Sequence, residues 1–379
     1  MKYDVIILGA GPAGSACALA LHNSGLKVAI IDKDSFPREK ICGDAIPGKS
    51  FKALRTINSK WAEDLLQFTK AQSIHSGHFY TDHSPPISIQ WVLPAYNSKR
   101  EDFDNFLVKL VQKETATEFH LSNRVQKVER HSDHVNVLLA DGHELQATML
   151  IGCDGANSVA KRIVKGYEGK DRSSAVAVRA YYSDVDGTEM TGNDVFFSKS
   201  IYPGYVWIFP MGNNLYNVGC GYVQHPNAPM NQPLRSLMLE LIEKHPDIAP
   251  KFKNAKQLNE VKGFSLPLGT SKRSISDERI LLCDDAASLV DPFMGHGIDK
   301  AMWSGVLAAE QIKKCFAENR FDAVFMKSYD QAVYKKLGPE LKSSTRQMNT
   351  LIRYPWLLNV VSFISQKPKL ANWLVKKIM

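Results

Sequence analysis

The six cysteines (Cys17, Cys42, Cys153, Cys220, Cys283 and Cys315) include no C-x-x-C pair. That spacing argues against a zinc site and a disulfide framework, so no metal is expected and a reducing, cytoplasmic setting fits. No apolar run reaches the ~18 residues of a membrane-spanning helix. The opening MKYDVIILGAG is too short an apolar run for a secretory signal and leads straight into a glycine motif. Internal repeats and low-complexity segments are missing. Acidic residues are absent from Leu341 to Met379, where seven basic residues fall: Lys342, Arg346, Arg353, Lys367, Lys369, Lys376 and Lys377. The formal net charge is +8, so nearly all of it sits in this tail. A nucleic-acid binder spreads basic residues more widely, and nucleic acid is not an expected partner.

What is present is ordinary globular material. A content of 44% hydrophobic and 23% charged residues supports a sizeable core. A length of 379 residues suits one large domain or two interleaved ones. Residues 3–8 read as a buried strand ended by glycine, 13–24 as a helix stopped by Gly25, and 27–32 as a second buried strand. A strand–turn–helix–strand unit favours a parallel sheet. Residues 101–112 form an amphipathic helix with Phe103, Phe106, Leu107 and Leu110 on one face. Strands are expected at 125–130 and 135–139, then at 144–147 after a hairpin turn at Asp141-Gly142, and again at 149–151. From about 173 to 263 the pattern becomes short alternating runs broken by Gly, Pro and Asn, the mark of an antiparallel sheet. A buried strand at 279–283 and a helix at 297–315 follow, and the remainder is helical.

The chemistry begins at Gly9-Ala10-Gly11-Pro12-Ala13-Gly14. Gly9 permits a tight turn, Gly11 a close approach of backbone to a diphosphate, and Gly14 close helix–strand packing. The phosphates then lie at the positive end of the following helix. The motif follows a strand and opens a helix, which is the context that gives it meaning. Asp32 ends the second strand 18 residues beyond Gly14, about where an acid holds a ribose hydroxyl. A glycine turn without a ligand is the plain alternative. This motif alone does not separate FAD from NAD.

Further motifs make that separation. They are Arg38-Glu39-Lys40-Ile41-Cys42-Gly43, Arg100 with Phe103-Asp104, and Gly152-Cys153-Asp154-Gly155-Ala156-Asn157-Ser158. Then come Pro203-Gly204-Tyr205-Val206-Trp207-Ile208-Phe209-Pro210, Cys283-Asp284-Asp285-Ala286-Ala287, and Pro292-Phe293-Met294-Gly295-His296-Gly297-Ile298. In this order they resemble the FAD-dependent family of aromatic hydroxylases, flavin halogenases and geranylgeranyl reductases, and within it the geranylgeranyl reductase-like branch. The resemblance implies a group A flavoprotein fold, similar to p-hydroxybenzoate hydroxylase. That fold is α/β: an FAD-binding, Rossmann-like doubly wound domain, an interleaved antiparallel β-sheet substrate domain and a helical C-terminus. The expected division is 1–75, 98–172 and 270–325 for the FAD domain, 76–97 and 173–269 for the substrate domain, and 326–379 for the helical segment.

The resemblance also assigns roles. Arg100 pairs with the FAD diphosphate, Asp154 braces the cofactor domain, Asp285 accepts from a ribitol hydroxyl, and Pro292 to Gly297 line the flavin ring. Lys33, Arg38, Cys42, Gly43, Val125, Gly155 and Ile298 complete the expected cofactor contacts with Gly9, Gly11, Pro12, Ala13, Gly14 and Asp32. Cys42, His296, Tyr205 and Trp207 are candidates near the flavin, although an inert Cys42 thiol and ordinary core aromatics are equally plain readings. The chain departs from the family pattern at Asp284, where a glycine is usual, and at His296, where a glutamate is usual. The arginine expected after the Asp-Gly motif stands as Lys161-Arg162.

The expected activity is reduction of carbon–carbon double bonds in an isoprenoid or other hydrophobic small molecule by hydride from reduced flavin. The alternatives are a monooxygenase or halogenase acting through a C4a-oxygen adduct, for which Lys49 is a candidate lysine, and a non-catalytic FAD-binding protein. No second NAD(P)H-binding unit is visible, so NAD(P)H docking transiently, or an electron-donor protein, is the expected reductant. The apolar stretch 354–364 and the basic, apolar end 370–379 suggest peripheral membrane contact, against the plain reading of a helix packed on the core.

Overall fold

β-Branched runs ended by glycine and alternating runs broken by turns sort this chain into two sheets. The computed structural model describes residues 2–68, 70–82, 84–167, 174–225 and 229–365. Its strands are β1 (Lys2–Leu8), β2 (Val28–Ile31), β3 (Ala45–Ile46), β4 (Gln72–Thr81), β5 (Ser84–Asn97), β6 (Glu118–His120), β7 (Val125–Arg130), β8 (Val135–Leu139) and β9 (Glu144–Gly152). There follow β10 (Ser174–Ser183), β11 (Gly192–Phe197), β12 (Gly204–Pro210), β13 (Leu215–Val223), β14 (Lys256–Gln257), β15 (Lys262–Pro267), β16 (Ser276–Asp277) and β17 (Ile280–Leu282). The helices are α1 (Pro12–Ala20), α2 (Gly48–Ile57), α3 (Ser59–Leu66), α4 (Arg100–Glu114), α5 (Leu234–Lys244), α6 (Ile298–Glu318), α7 (Ala323–Lys336), α8 (Gly338–Arg353) and α9 (Leu357–Ser365).

The first sheet runs β16-β17-β9-β1-β2-β6, and β17, β9, β1, β2 and β6 are parallel neighbours. β1 and β2 are buried on both faces, as parallel strands covered by helices must be. The second sheet runs β14-β10-β13-β12-β11-β4-β5-β3, with β15 beside β10. It is antiparallel except where β11 meets β4. The α/β doubly wound half, the antiparallel half and, as far as residue 365, the helical end therefore stand as the sequence implies; the basic, apolar end 370–379 lies outside the described residues.

Two local expectations change. Residues 144–147 and 149–151 are one strand, β9. Along one edge its partner changes from β8, antiparallel over 144–147, to β17, parallel over 150–152, while β1 pairs parallel with 146–152 on the other edge, so one strand serves both a hairpin and the parallel sheet. Helix α1 ends at Ala20, short of Gly25. Hydrogen-bonded turns take over from Leu21, and Asn23 adopts a left-handed conformation with φ 58°.

Helix α6 lies against α1. A Cβ on Gly305 would come within 2.2 Å of the Ala13 carbonyl oxygen, so only glycine lets the two backbones approach this closely. This contact brings a segment from the far end of the chain to the N-terminal turn.

Candidate active site

The turn after β1 is wedged between two other backbones. Gly9 donates its N–H to the Ile31 carbonyl at 2.7 Å and has φ +98°, a region that glycine enters without steric cost. A Cβ on Gly9 would stand 2.3 Å from the Cys153 carbonyl oxygen, and one on Gly14 would stand 1.9 Å from that of Gly9. Asp32 holds the turn from below: its Oδ2 accepts from the Ala10 N–H at 2.8 Å and its Oδ1 from the Asp34 N–H at 3.0 Å. Gly11 caps α1 with no side-chain partner, and Pro12 opens the helix. The first-turn amides of such a helix lack intrahelical acceptors and favour an anion. Space in front of Gly11 is open, for a Cβ there would meet only Arg38 Nη2, at 3.7 Å.

Two arginines converge on one buried carboxylate. Arg100 donates to Asp104 from Nε at 2.7 Å and from Nη2 at 2.8 Å. Arg38 Nη2 stands 3.2 Å from the same carboxylate. The remaining arm of Arg38, Nη1, is buried and has no hydrogen-bond partner. A buried guanidinium N–H without a partner among the described residues, near an uncapped helix start and an open glycine, could hold a diphosphate. Arg38 and Gly11 thus lie together, and Arg100, which also lines the cleft, holds Asp104.

Three carboxyls follow. Asp154 accepts from the Val159 N–H at 2.6 Å through Oδ2, bracing the turn after β9, while its buried Oδ1 has no partner. Burial pushes its carboxyl above the usual range. Asp284 sits where a glycine is usual and adopts φ +56°, which explains that preference. Its N–H donates to Ser304 Oγ at 3.1 Å. Burial first, and then the charge of adjacent Asp285, pushes the Asp284 carboxyl well up. Burial raises Asp285 as well, against the opposing pull of Lys40 and Arg100.

The loop before α6 is built on Asp291. Its Oδ1 accepts from the Phe293 and Met294 N–H groups at 3.0 and 2.8 Å, and its Oδ2 from Ser344 Oγ at 2.6 Å. All these segments line one cleft of about 2150 Å³, which runs from the glycine turn to the Pro292–Gly297 loop and on beneath the second sheet. The FAD binding domain family matches residues 2–331. The chain belongs to that family.

This flavoprotein is similar to menaquinone reductase of Mycobacterium tuberculosis (strain ATCC 25618 / H37Rv), 31% identical over 319 residues that cover 81% of this chain and 76% of that one. Among solved structures it resembles a geranylgeranyl bacteriochlorophyll reductase-like protein from Thermoplasma acidophilum. The TM-score is 0.83 at 23% identity, covering 96% of this chain and 91% of the other. It also resembles the flavin-dependent brominase Bmp2, with TM-score 0.80 at 22% identity over 100% of this chain and 93% of that one. It is an FAD-dependent oxidoreductase.

The flavoprotein's second sheet forms the facing wall. Tyr205, Trp207 and Phe209 stand in a row on one side of β12, with ring centroids 6.1 Å apart at each step. The Tyr205 hydroxyl donates to the Met294 carbonyl, tying this wall to the loop before α6. Trp207 Nε1 donates to Asn217 Oδ1 at 2.9 Å, and Asn217 Nδ2 reaches both the Cys42 carbonyl (2.9 Å) and Asp44 Oδ2 (2.8 Å). Asp44 also accepts from the Tyr181 hydroxyl at 2.5 Å. Burial pushes the Asp44 carboxyl up to about 6.

His296 enters a charged cluster. Lys300, fully buried, stands 3.1 Å from His296 Nε2, 3.0 Å from Glu340 Oε1 and 3.3 Å from Asp299 Oδ2. Lys49 pairs with the other Glu340 oxygen at 2.9 Å. Burial pushes the Glu340 carboxyl up, but His296, Lys300 and Lys49 outweigh it and hold the group well below the usual range. Asp291, His296 and Glu340 offer ligand atoms within 4.8 Å of one another. The Lys300 ammonium, within reach of two of the three, already supplies positive charge to this group.

Of the residues singled out in the sequence, Gly9, Gly11, Pro12, Asp32, Lys33, Arg38, Cys42, Gly43, Arg100, Val125, Asp154, Gly155, Tyr205, Trp207, Asp285, Pro292, Gly295, His296, Gly297 and Ile298 line the cleft. Ala13 and Gly14 lie behind it, against α6 and Gly9 respectively. Asp44, Tyr181, Asn217, Lys300 and Glu340 were missed. For Lys300 a signal existed, since it follows His296 by four residues at a helix start and so shares its face.

Proposed function

We propose that the flavoprotein reduces carbon–carbon double bonds of an isoprenoid or similarly hydrophobic substrate. One observation carries this reading: the size and lining of the cleft. Its volume is more than twice the ~1,000 Å³ upper end of ordinary ligand clefts, which leaves room for a large second molecule beside a dinucleotide. Away from the glycine turn the walls are Phe79, Trp91, Leu93, Phe197, Phe293, Leu351, Ile352 and Leu358, an apolar surface suited to a prenyl chain. The names of the menaquinone reductase and of the geranylgeranyl reductase-like structure point the same way.

Reduced FAD, when bound, supplies a hydride, and the protein supplies binding, orientation and shielding from water. Arg38, Gly11 and the start of α1 would hold its diphosphate. Asp32 and Asp285 would accept from its sugar and ribitol hydroxyls. The Tyr205, Trp207 and Phe209 row orients the substrate against the opposite wall. Burial keeps the Cys42 thiol neutral, which suits packing against substrate rather than nucleophilic attack. NAD(P)H or a donor protein provides reducing equivalents from outside.

The brominase likeness keeps oxygen chemistry as the second reading. Lys49, the lysine that reading would use, lies in the cleft, but its ammonium is engaged by Glu340. Stopped-flow mixing of anaerobically reduced protein with geranylgeranyl compounds decides between them. Reoxidation without oxygen supports the reductase. Reoxidation only with oxygen plus an aromatic overturns it in favour of a monooxygenase or halogenase, and a flavin inert to every donor and acceptor leaves a non-catalytic binder.

A further inference from the structure

Helix α9 packs on β4 and β5, and its buried Ser362 hydroxyl donates to the Pro85 carbonyl. Leu358 lines the cleft, so this helix forms part of the cleft rim. Its other side is apolar and open to solvent. Trp356, Val360 and Phe363 recur at i, i+4 and i+7, one stripe of a helix, and are 59%, 39% and 63% exposed. β5, on which the helix packs, adds Val92 at 76% exposure. Single exposed apolar side chains are ordinary, whereas a stripe of large ones marks a contact surface.

Charge identifies the contact. Arg353 is exposed just before the stripe, Lys342 and Arg346 are exposed on α8, and the sequence from Leu341 onward has no acidic residue; Lys367, Lys369, Lys376 and Lys377 lie outside the described residues. A second copy meeting this face across a two-fold axis would set like charge against like charge. An anionic lipid surface complements both the stripe and the charge. We propose that the α9 face docks the protein on anionic lipid, with the cleft rim at the interface so that a hydrophobic substrate enters past α9. The docking stands on the stripe and the charge alone. Only the substrate route rests on the proposed prenyl reduction.

The test is co-sedimentation of the full-length holoprotein with phosphatidylglycerol/phosphatidylcholine vesicles and with phosphatidylcholine vesicles. The expected result is about tenfold stronger partition onto the anionic vesicles, lost at high salt. A Trp356→Ser, Phe363→Ser double variant lowers partition by about fivefold while FAD content and melting temperature stay unchanged, because both side chains are exposed. Equal binding to both vesicle types, or a variant that binds like the parent, overturns the proposal. So does a dimer in sedimentation velocity that the variant splits while vesicles are ignored. Vesicle binding without prenyl reduction sustains the docking and counts against the substrate alone.

Discussion

Arg38 reaches the Asp104 carboxylate with Nη2 at 3.2 Å, the same nitrogen that faces Gly11, and holds Nη1 buried without a hydrogen-bond partner among the described residues. Arg100 grips the same carboxylate with two hydrogen bonds. The two arginines therefore separate in function. Arg38→Ala leaves Asp104 neutralised by Arg100 and removes a charge-assisted hydrogen bond to the diphosphate, about 1.5–3 kcal/mol. FAD affinity should fall roughly 10–100-fold in a fluorescence titration, with the apoprotein's stability little changed. Arg100→Ala should instead cost about 3–5 kcal/mol in urea unfolding, because it strips a buried carboxylate of its bidentate partner. Equal effects of the two variants on FAD affinity would remove this distinction.

Gly11 and Gly14 differ in the same way. A Cβ on Gly14 would collide with the Gly9 backbone at 1.9 Å, whereas one on Gly11 meets only a flexible arginine tip at 3.7 Å. Gly14→Ala should destabilise the apoprotein by about 3 kcal/mol or more, as overpacking against rigid backbone does. Gly11→Val should leave apoprotein melting within about 1 kcal/mol of the parent and still abolish the yellow colour, since its side chain occupies the approach to the diphosphate.

The pH dependence of folding should carry the mark of Asp44. Burial raises its carboxyl from 3.8 to about 6, so the folded protein binds a proton that the unfolded chain has released. The contribution is largest below about pH 4 and is lost as pH rises to about 6, beyond which it is constant. A shift of this size is worth roughly 3 kcal/mol. Asp44→Asn keeps an oxygen for Tyr181 and Asn217 and tolerates the left-handed backbone (φ +62°). Urea unfolding at pH 4.5 and 7 should show the variant gaining on the parent as pH rises. A constant difference between them would show that Asp44 titrates normally.

Asp284 is the residue whose replacement should improve the protein. It holds a left-handed backbone and a half-buried carboxyl next to Asp285, on the wall of the cleft. Asp284→Gly relieves the backbone cost, about 1 kcal/mol, and removes a repulsive neighbour. Melting temperature and FAD affinity at pH 8 should both rise, with a smaller gain in affinity at pH 5, because burial and Asp285 raise this carboxyl and protonation weakens the repulsion. Weaker FAD binding at both pH values would mean that the carboxyl serves the cofactor.

The parts of the site legible in the sequence are those whose physics is local. Gly9 to Gly14, the strand before them and Asp32 lie within one strand–turn–helix–strand unit, so spacing alone carries the geometry. Tyr205, Trp207 and Phe209 project together because a strand repeats every two residues. The fold followed from the order of such segments and from their resemblance to a family. Even so, β9 looked like two strands, because a change of pairing partner midway along a strand leaves no trace in its residues.

Sequence by itself determined that residues 2–31 make a phosphate-gripping turn and that a parallel and an antiparallel sheet share the chain. Only tertiary structure decided which charges meet. Asp44 finds Tyr181 and Asn217 across 137 and 173 residues, and Lys300 finds Glu340 across 40. Those partners are chosen by sheet register and by the close passage of α6 over α1, distances in space that no periodicity along the chain encodes.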